Sequence, residues 1–90
     1  LEAMRDTGIA MGLTPDVAHR LAVGTFVGAS TLAQRSAEPP QVLRERVTSK
    51  GGTTHAAITS MDASGMKEHF ARALRAAQAR AAELGREFGA

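Results

Sequence analysis

The sequence predicts an all-α domain, on three observations. No run of alternating β-branched residues argues for a strand, apolar residues recur at steps of three and four, and proline and glycine fall where helices start and stop. The core is thin for ninety residues. There are 18 alanines against three Phe and no Trp or Tyr, and alanine brings little apolar area to bury. Part of the stability is therefore expected from a partner surface, most simply a second copy of the same chain.

Residues 1 to about 11 read as the tail of a helix that begins upstream, with Leu1, Met4 and Ile9 on one spacing and Gly12 placed to end it. The chain opens at Leu1 in helix-like sequence, as a piece with its upstream part missing does. Thr14-Pro15-Asp16 is a helix start: Thr14 can cap, Pro15 suits the first helical position, and Asp16 favours the positive end of the dipole. This second helix should run to about Ser36. No charge occurs between Arg20 and Arg35, and Leu21, Ala22, Val23, Phe26, Val27, Ala29, Leu32 and Ala33 face every direction. Such a helix is normally buried on all sides. Gly24 and Gly28 give it one face where another helix can approach closely, at roughly 1 kcal/mol each against alanine.

Glu38-Pro39-Pro40 breaks the helix, and Pro40 can open a short one carrying Val42, Leu43 and Arg46. Thr53 has the chemistry of an N-cap for the next helix, whose apolar face is Ala56, Ala57, Ile58 and Met61 up to about Ala63. Ser64-Gly65 stops it. The last helix, about Met66 to Glu87, carries Met66, Phe70, Ala73, Leu74, Ala77, Ala81, Leu84 and Phe88 on one face.

Several chemistries find no support. The formal charge is +2 with nine arginines and two lysines, but these are scattered, mixed with acidic or small neutral residues and not interleaved with aromatics, so a solvated helix surface is expected and no nucleic acid. Absence of cysteine removes disulfides, thiolate catalysis and Cys-based zinc sites, and fits a reducing, cytoplasmic location. The uncharged run Leu21 to Ala33 is shorter than the ~20 residues of a membrane span. His19, His55 and His69 do not pair with one another or with carboxylates at ligand spacing, so no metal is expected, and the hydroxyl residues have no triad partners at a recognisable spacing.

The stretch Val47 to Ile58 departs from generic helix. Thr48, Ser49, Lys50, Gly51, Gly52, Thr53 and Thr54 place hydroxyls, two glycines and a lysine directly ahead of a helix. A helix N-terminus leaves its first amides unpaired and carries about half a positive charge, and glycine lets a ligand reach the main chain. A carboxylate or phosphate could satisfy these donors. The pattern is neither a Walker loop nor G-x-G-x-x-G, and the residues alone leave an anion site and an ordinary capped turn both open.

At this stretch the chain resembles the pyrroline-5-carboxylate reductases, whose C-terminal domain carries V-T-S-P-G-G-T-T-x-x-x-L-x-x-L-E-x-x-G. Here the same frame holds Val47, Thr48, Ser49, Lys50, Gly51, Gly52, Thr53, Thr54, Ile58, Met61, Asp62 and Gly65. Leu1 to Pro15 and the Ala73, Ala77, Arg80, Glu83, Leu84, Gly85 series also look like the family's flanking helices. Lys50 replaces the usual proline, and Met61-Asp62 the usual Leu-Glu.

The resemblance implies the helical C-terminal part of a two-domain reductase, similar in class to the C-terminal domain of 6-phosphogluconate dehydrogenase. It implies an interlocked homodimer with a long buried central helix, Leu21 to Ala33, and room for a higher oligomer. An N-terminal Rossmann domain outside this chain would bind NADPH or NADH, leaving residues 1–90 as the dimerisation and substrate domain, inactive alone. The amides around Gly51, Gly52, Thr53 and Thr54, with Ser49 nearby, would hold the carboxylate of 1-pyrroline-5-carboxylate. The Thr54 hydroxyl would orient the ring nitrogen during reduction to L-proline. A structural dimerisation module of a related protein, with the glycine turn acting only as a cap, is the alternative.

Overall fold

The computed structural model describes residues 1–89. These form five helices, α1 (Glu2–Ala10), α2 (Pro15–Arg35), α3 (Pro40–Arg46), α4 (Thr53–Ala63) and α5 (Met66–Glu87), with no strand among the described residues. The all-α expectation holds, and the helix boundaries fall within a residue or two of those the punctuation predicts. Two units divide the chain, Leu1–Arg46 and the part from Val47 onward.

In the first unit, α1 packs against α2. Met11 caps α1 in a right-handed conformation, and Gly12 at φ 108 takes the left-handed turn that releases the chain toward α2. The start of α2 is as the sequence predicts. The Thr14 hydroxyl accepts a bond from the Val17 N–H at 3.3 Å, and Pro15 occupies the first turn, where a missing N–H costs nothing. Close approach of the two helices depends on Gly8, since a methyl group there would lie 3.3 Å from both the Ala18 Cβ and the Leu13 side chain. Ala18 and Ala22, one turn apart on α2, are the fully buried hydrophobic residues among those described, each 2 % exposed.

Burial of α2 on every side is therefore not supplied within the chain. Leu21, Phe26, Val27 and Leu32 are each about half exposed, because α1 is nine residues long and covers one face of a 21-residue helix. A Cβ at Gly24 or Gly28 would meet nothing within 4 Å. Polar groups along this helix are satisfied locally, as where the Thr25 hydroxyl donates to the Leu21 carbonyl at 2.7 Å. After α2, Arg46 at the end of α3 reaches back to Glu38 at 3.0 Å across the Pro39-Pro40 break. Both side chains are exposed, which limits the pair to at most about 1 kcal/mol.

In the second unit, α4 packs against α5. Ser64 caps α4, its hydroxyl donating to the Ser60 carbonyl at 3.0 Å. Gly65 at φ 71 then turns the chain and serves at once as the N-cap of α5. That double duty needs a left-handed residue, which explains glycine there. Neither α4 nor α5 contains a buried residue. The apolar face of α5 lies open, with Met66, Phe70, Leu74 and Phe88 all more than half exposed.

Candidate functional site

Residues 47–52 form a turn running straight into α4, so contiguity alone brings the candidate residues together. The turn is closed by the Gly52 N–H, which donates to the Ser49 carbonyl at 3.0 Å across Lys50 and Gly51. Gly51 sits at φ 77, where a side chain would be strained. Gly52 has an ordinary extended backbone, φ −84 and ψ 179, and is required for another reason. A methyl group there would run into the Ser49 hydroxyl and lie 3.2 Å from the Ser49 carbonyl oxygen. The two adjacent glycines thus answer two different demands, one of dihedral angle and one of space.

One expectation is corrected. Thr53 is not the cap of α4; it is the first helical residue, and Gly52 stands at the N-cap with no side-chain hydrogen bond to the helix. The reason is the turn itself, which leaves Gly52 in extended geometry one residue earlier than the hydroxyl preference of caps suggests. The signal in the sequence was the second glycine, a residue that N-cap positions accept readily. In consequence no hydroxyl occupies the first-turn amides. The first intrahelical bond is made by the Ala56 N–H to the Gly52 carbonyl at 3.0 Å, leaving the Thr53, Thr54 and His55 amides without a protein partner.

The first turn of α4 contains no acidic residue, and Lys50, exposed in the turn, has no carboxylate partner among the described residues. Lys50 thus precedes the positive end of a helix dipole that no acidic residue in the first turn of α4 offsets. Gly52 and Thr54 are partly buried, whereas Ser49, Gly51 and Thr53 are open to solvent. Every residue expected at the site lies on this turn or in the first turn of α4. What the arrangement offers is a set of aligned donors, a hydroxyl at Thr54 and local positive charge, suited to grip and orient an anion.

Other chemistry has little to build on. Among the described residues no group of three or more His, Cys, Asp or Glu stands together to hold a metal ion. No helix of the described chain is long and apolar enough to cross a membrane. Arg5, Arg20, Arg46 and Arg80 sit in exposed ion pairs, Arg20 with Asp16 at 3.1 Å and Arg80 with Glu83 at 2.9 Å among them. Among the described residues there is no strand and no G-x-G-x-x-G turn.

Comparison with known proteins agrees with this geometry. The family model described as pyrroline-5-carboxylate reductase dimerisation matches residues 1–84. The chain is 44 % identical over 89 residues to a pyrroline-5-carboxylate reductase of Pseudomonas aeruginosa, covering 99 % of this chain and 33 % of that protein. It is 36 % identical over 87 residues to the reductase of that name from Synechocystis, covering 97 % of this chain and 33 % of the relative. Among solved structures it resembles a Plasmodium falciparum pyrroline carboxylate reductase with NADP bound, at TM-score 0.80 and 27 % identity, over 83 % of this chain and 30 % of the other. The chain spans about a third of the length of the curated relatives it matches. With the family model matched over nearly its whole length, the chain belongs to the pyrroline-5-carboxylate reductase dimerisation family.

Proposed function

We propose that this chain is the C-terminal dimerisation and substrate-carboxylate domain of an NAD(P)H-dependent pyrroline-5-carboxylate reductase, acting in proline synthesis in the cytoplasm as a homodimer built on α2. The observation that carries the reading is the row of unpartnered amides at Thr53, Thr54 and His55 behind the Ser49–Gly52 turn. A carboxylate placed there accepts from two or three main-chain donors and meets the dipole of α4 and the Lys50 charge. The relatives matched over nearly the whole of this chain are pyrroline-5-carboxylate reductases by name.

In this reading the chain's own residues bind and orient. Gly51 and Gly52 keep the approach to the amides clear, and the Ser49 hydroxyl borders the carboxylate. The Thr54 hydroxyl, on the first turn of α4, bonds the ring nitrogen and fixes which face of the C=N bond is presented. A threonine hydroxyl is a poor acid at neutral pH, so Thr54 orients and the proton comes from solvent. The reductant belongs to a nicotinamide cofactor held mainly by an N-terminal domain outside this chain.

The test uses a protein that joins this chain to its dinucleotide-binding domain, assayed for reduction of 1-pyrroline-5-carboxylate by NADPH. Thr54→Ala is expected to lower turnover about 10- to 100-fold, the scale of one lost orienting contact, with NADPH affinity little changed. Proline should compete with substrate and pyrrolidine, which lacks the carboxylate, should not. Unchanged kinetics in Thr54→Ala together with equal inhibition by both amines leaves the turn a structural cap and the domain a dimerisation module only.

A further inference from the structure

We propose that Lys50 tunes the affinity of the turn for its anionic ligand, its ammonium supplying a full charge that the main-chain donors lack. The inference rests on the carboxylate reading above, and it begins with what the turn itself asks of position 50. The Gly52 N–H closes the turn onto the Ser49 carbonyl, which makes Lys50 and Gly51 its two central residues. Gly51 sits at φ 77, and no described residue other than glycine has a positive φ. A negative φ followed by a positive one is the type II turn, whose first central position favours proline. The Lys50 N–H donates no hydrogen bond among the described residues, so proline would forfeit no bond there. Lysine is therefore not the residue that the turn's geometry selects. It leaves φ free in the unfolded chain, where proline would restrict it, and it adds no ion pair to the turn.

What lysine adds is charge where little opposes it. Lys50 is exposed, and the first carboxylate that follows it in the sequence is Asp62, in the last turn of α4. At 1.5 Å per residue Asp62 stands ~13 Å from Thr53 along the helix axis, beyond the Debye length of about 10 Å at 0.1 M salt. The lysine ammonium is a compact charge on a flexible four-carbon stem, so it can follow an anion held at the Thr53, Thr54 and His55 amides without being fixed by the turn. Its partner is the ligand's carboxylate rather than the reacting C=N bond. The role is one of affinity.

The experiment uses the reductase that joins this chain to its dinucleotide-binding domain, with 1-pyrroline-5-carboxylate and NADPH, and compares Lys50→Gln, Lys50→Arg and Lys50→Pro. At about 20 mM salt Lys50→Gln is expected to raise KM about two- to fivefold, the scale of one exposed charge pair, and to lower kcat by less. Lys50→Arg should stay near the parent, and the difference should shrink at about 300 mM salt. Lys50→Pro should share the raised KM yet unfold in urea at a midpoint no lower than the parent's. A parent-like KM in Lys50→Gln at low salt overturns the inference and leaves the carboxylate reading standing. So does an equal rise in Lys50→Gln and Lys50→Arg, or one indifferent to salt, since charge would then not be the cause. A lowered midpoint in Lys50→Pro also overturns it, by giving lysine a structural part in the turn. Failure of the carboxylate reading shows separately, in the parent enzyme, as equal inhibition by proline and pyrrolidine.

Discussion

Gly52→Ala isolates the spatial demand of the turn. The backbone at position 52 is extended and suits alanine as well as glycine, so any penalty comes from the added methyl group. That methyl would collide with the Ser49 hydroxyl and stand 3.2 Å from the Ser49 carbonyl oxygen. Ser49 is exposed, and its hydroxyl can swing to another rotamer at a cost of at most about 1 kcal/mol. The carbonyl has less freedom, because it accepts the turn-closing bond from the Gly52 N–H at 3.0 Å, and relieving the contact stretches a bond worth about 1 kcal/mol net. The sum is about 1–2 kcal/mol.

Urea denaturation at one fixed protein concentration measures it, with Ser49→Ala and the double variant completing a cycle. Removing the hydroxyl leaves the Ser49 Cβ at 3.7 Å, an ordinary contact, so the double variant should recover about half of the loss, a coupling of roughly 0.5–1 kcal/mol. In the intact reductase, displacement of the Thr53 amide should raise KM for the carboxylate substrate more than it lowers kcat. If Gly52→Ala is as stable as the parent chain, or if Ser49→Ala rescues nothing, the turn does not have the geometry described.

The remaining predictions are smaller and local. Gly51→Ala meets no atom within 4 Å but must hold φ 77, so its loss should be about 1–2 kcal/mol and, unlike that at Gly52, should not respond to Ser49→Ala in the same denaturation assay. Thr14→Ala removes the cap of α2, and since the bond to Val17 is 3.3 Å long, the loss should sit near the lower end of the cap range, about 0.5–1 kcal/mol. Thr14→Ser, which can restore the acceptor, should recover most of it, and a failure to do so would assign the effect to the lost methyl group.

Local signals carried most of the fold. Thr14-Pro15, Gly12 and Gly65 could be read because a cap, a missing N–H and a left-handed turn are each decided within three or four residues of sequence. The boundary at α4 was misread for the same kind of reason. A hydroxyl at Thr53 suggested a cap, while the bond from the Gly52 N–H to the Ser49 carbonyl, made one residue earlier by the main chain, fixed the start at Gly52. Main-chain turns leave weaker marks than side-chain caps, and here the mark was a second glycine whose purpose is clearance. The turn and the open amides behind it could be placed from the sequence because Ser49 to His55 are consecutive, so the candidate site is local in sequence. The proposal that these donors take a substrate carboxylate was not legible from spacing, and rests on the family relation.

The helix α2 shows where a sequence carries information that one chain cannot display. Its apolar residues point in all directions, yet among the described residues Ala18 and Ala22 alone are fully buried, with Val17 and Val23 partly covered. A pattern without a polar face is selected by an environment on every side, and α1 supplies one side. The same holds on α5, where Phe70 and Leu74 lie on a well-formed stripe and remain more than half exposed. Burial read from the pattern and burial found in the single chain therefore differ by the surface of the missing neighbour. In the homodimer proposed above, which the family's description as one of dimerisation supports, that difference is the imprint of the second subunit on the first.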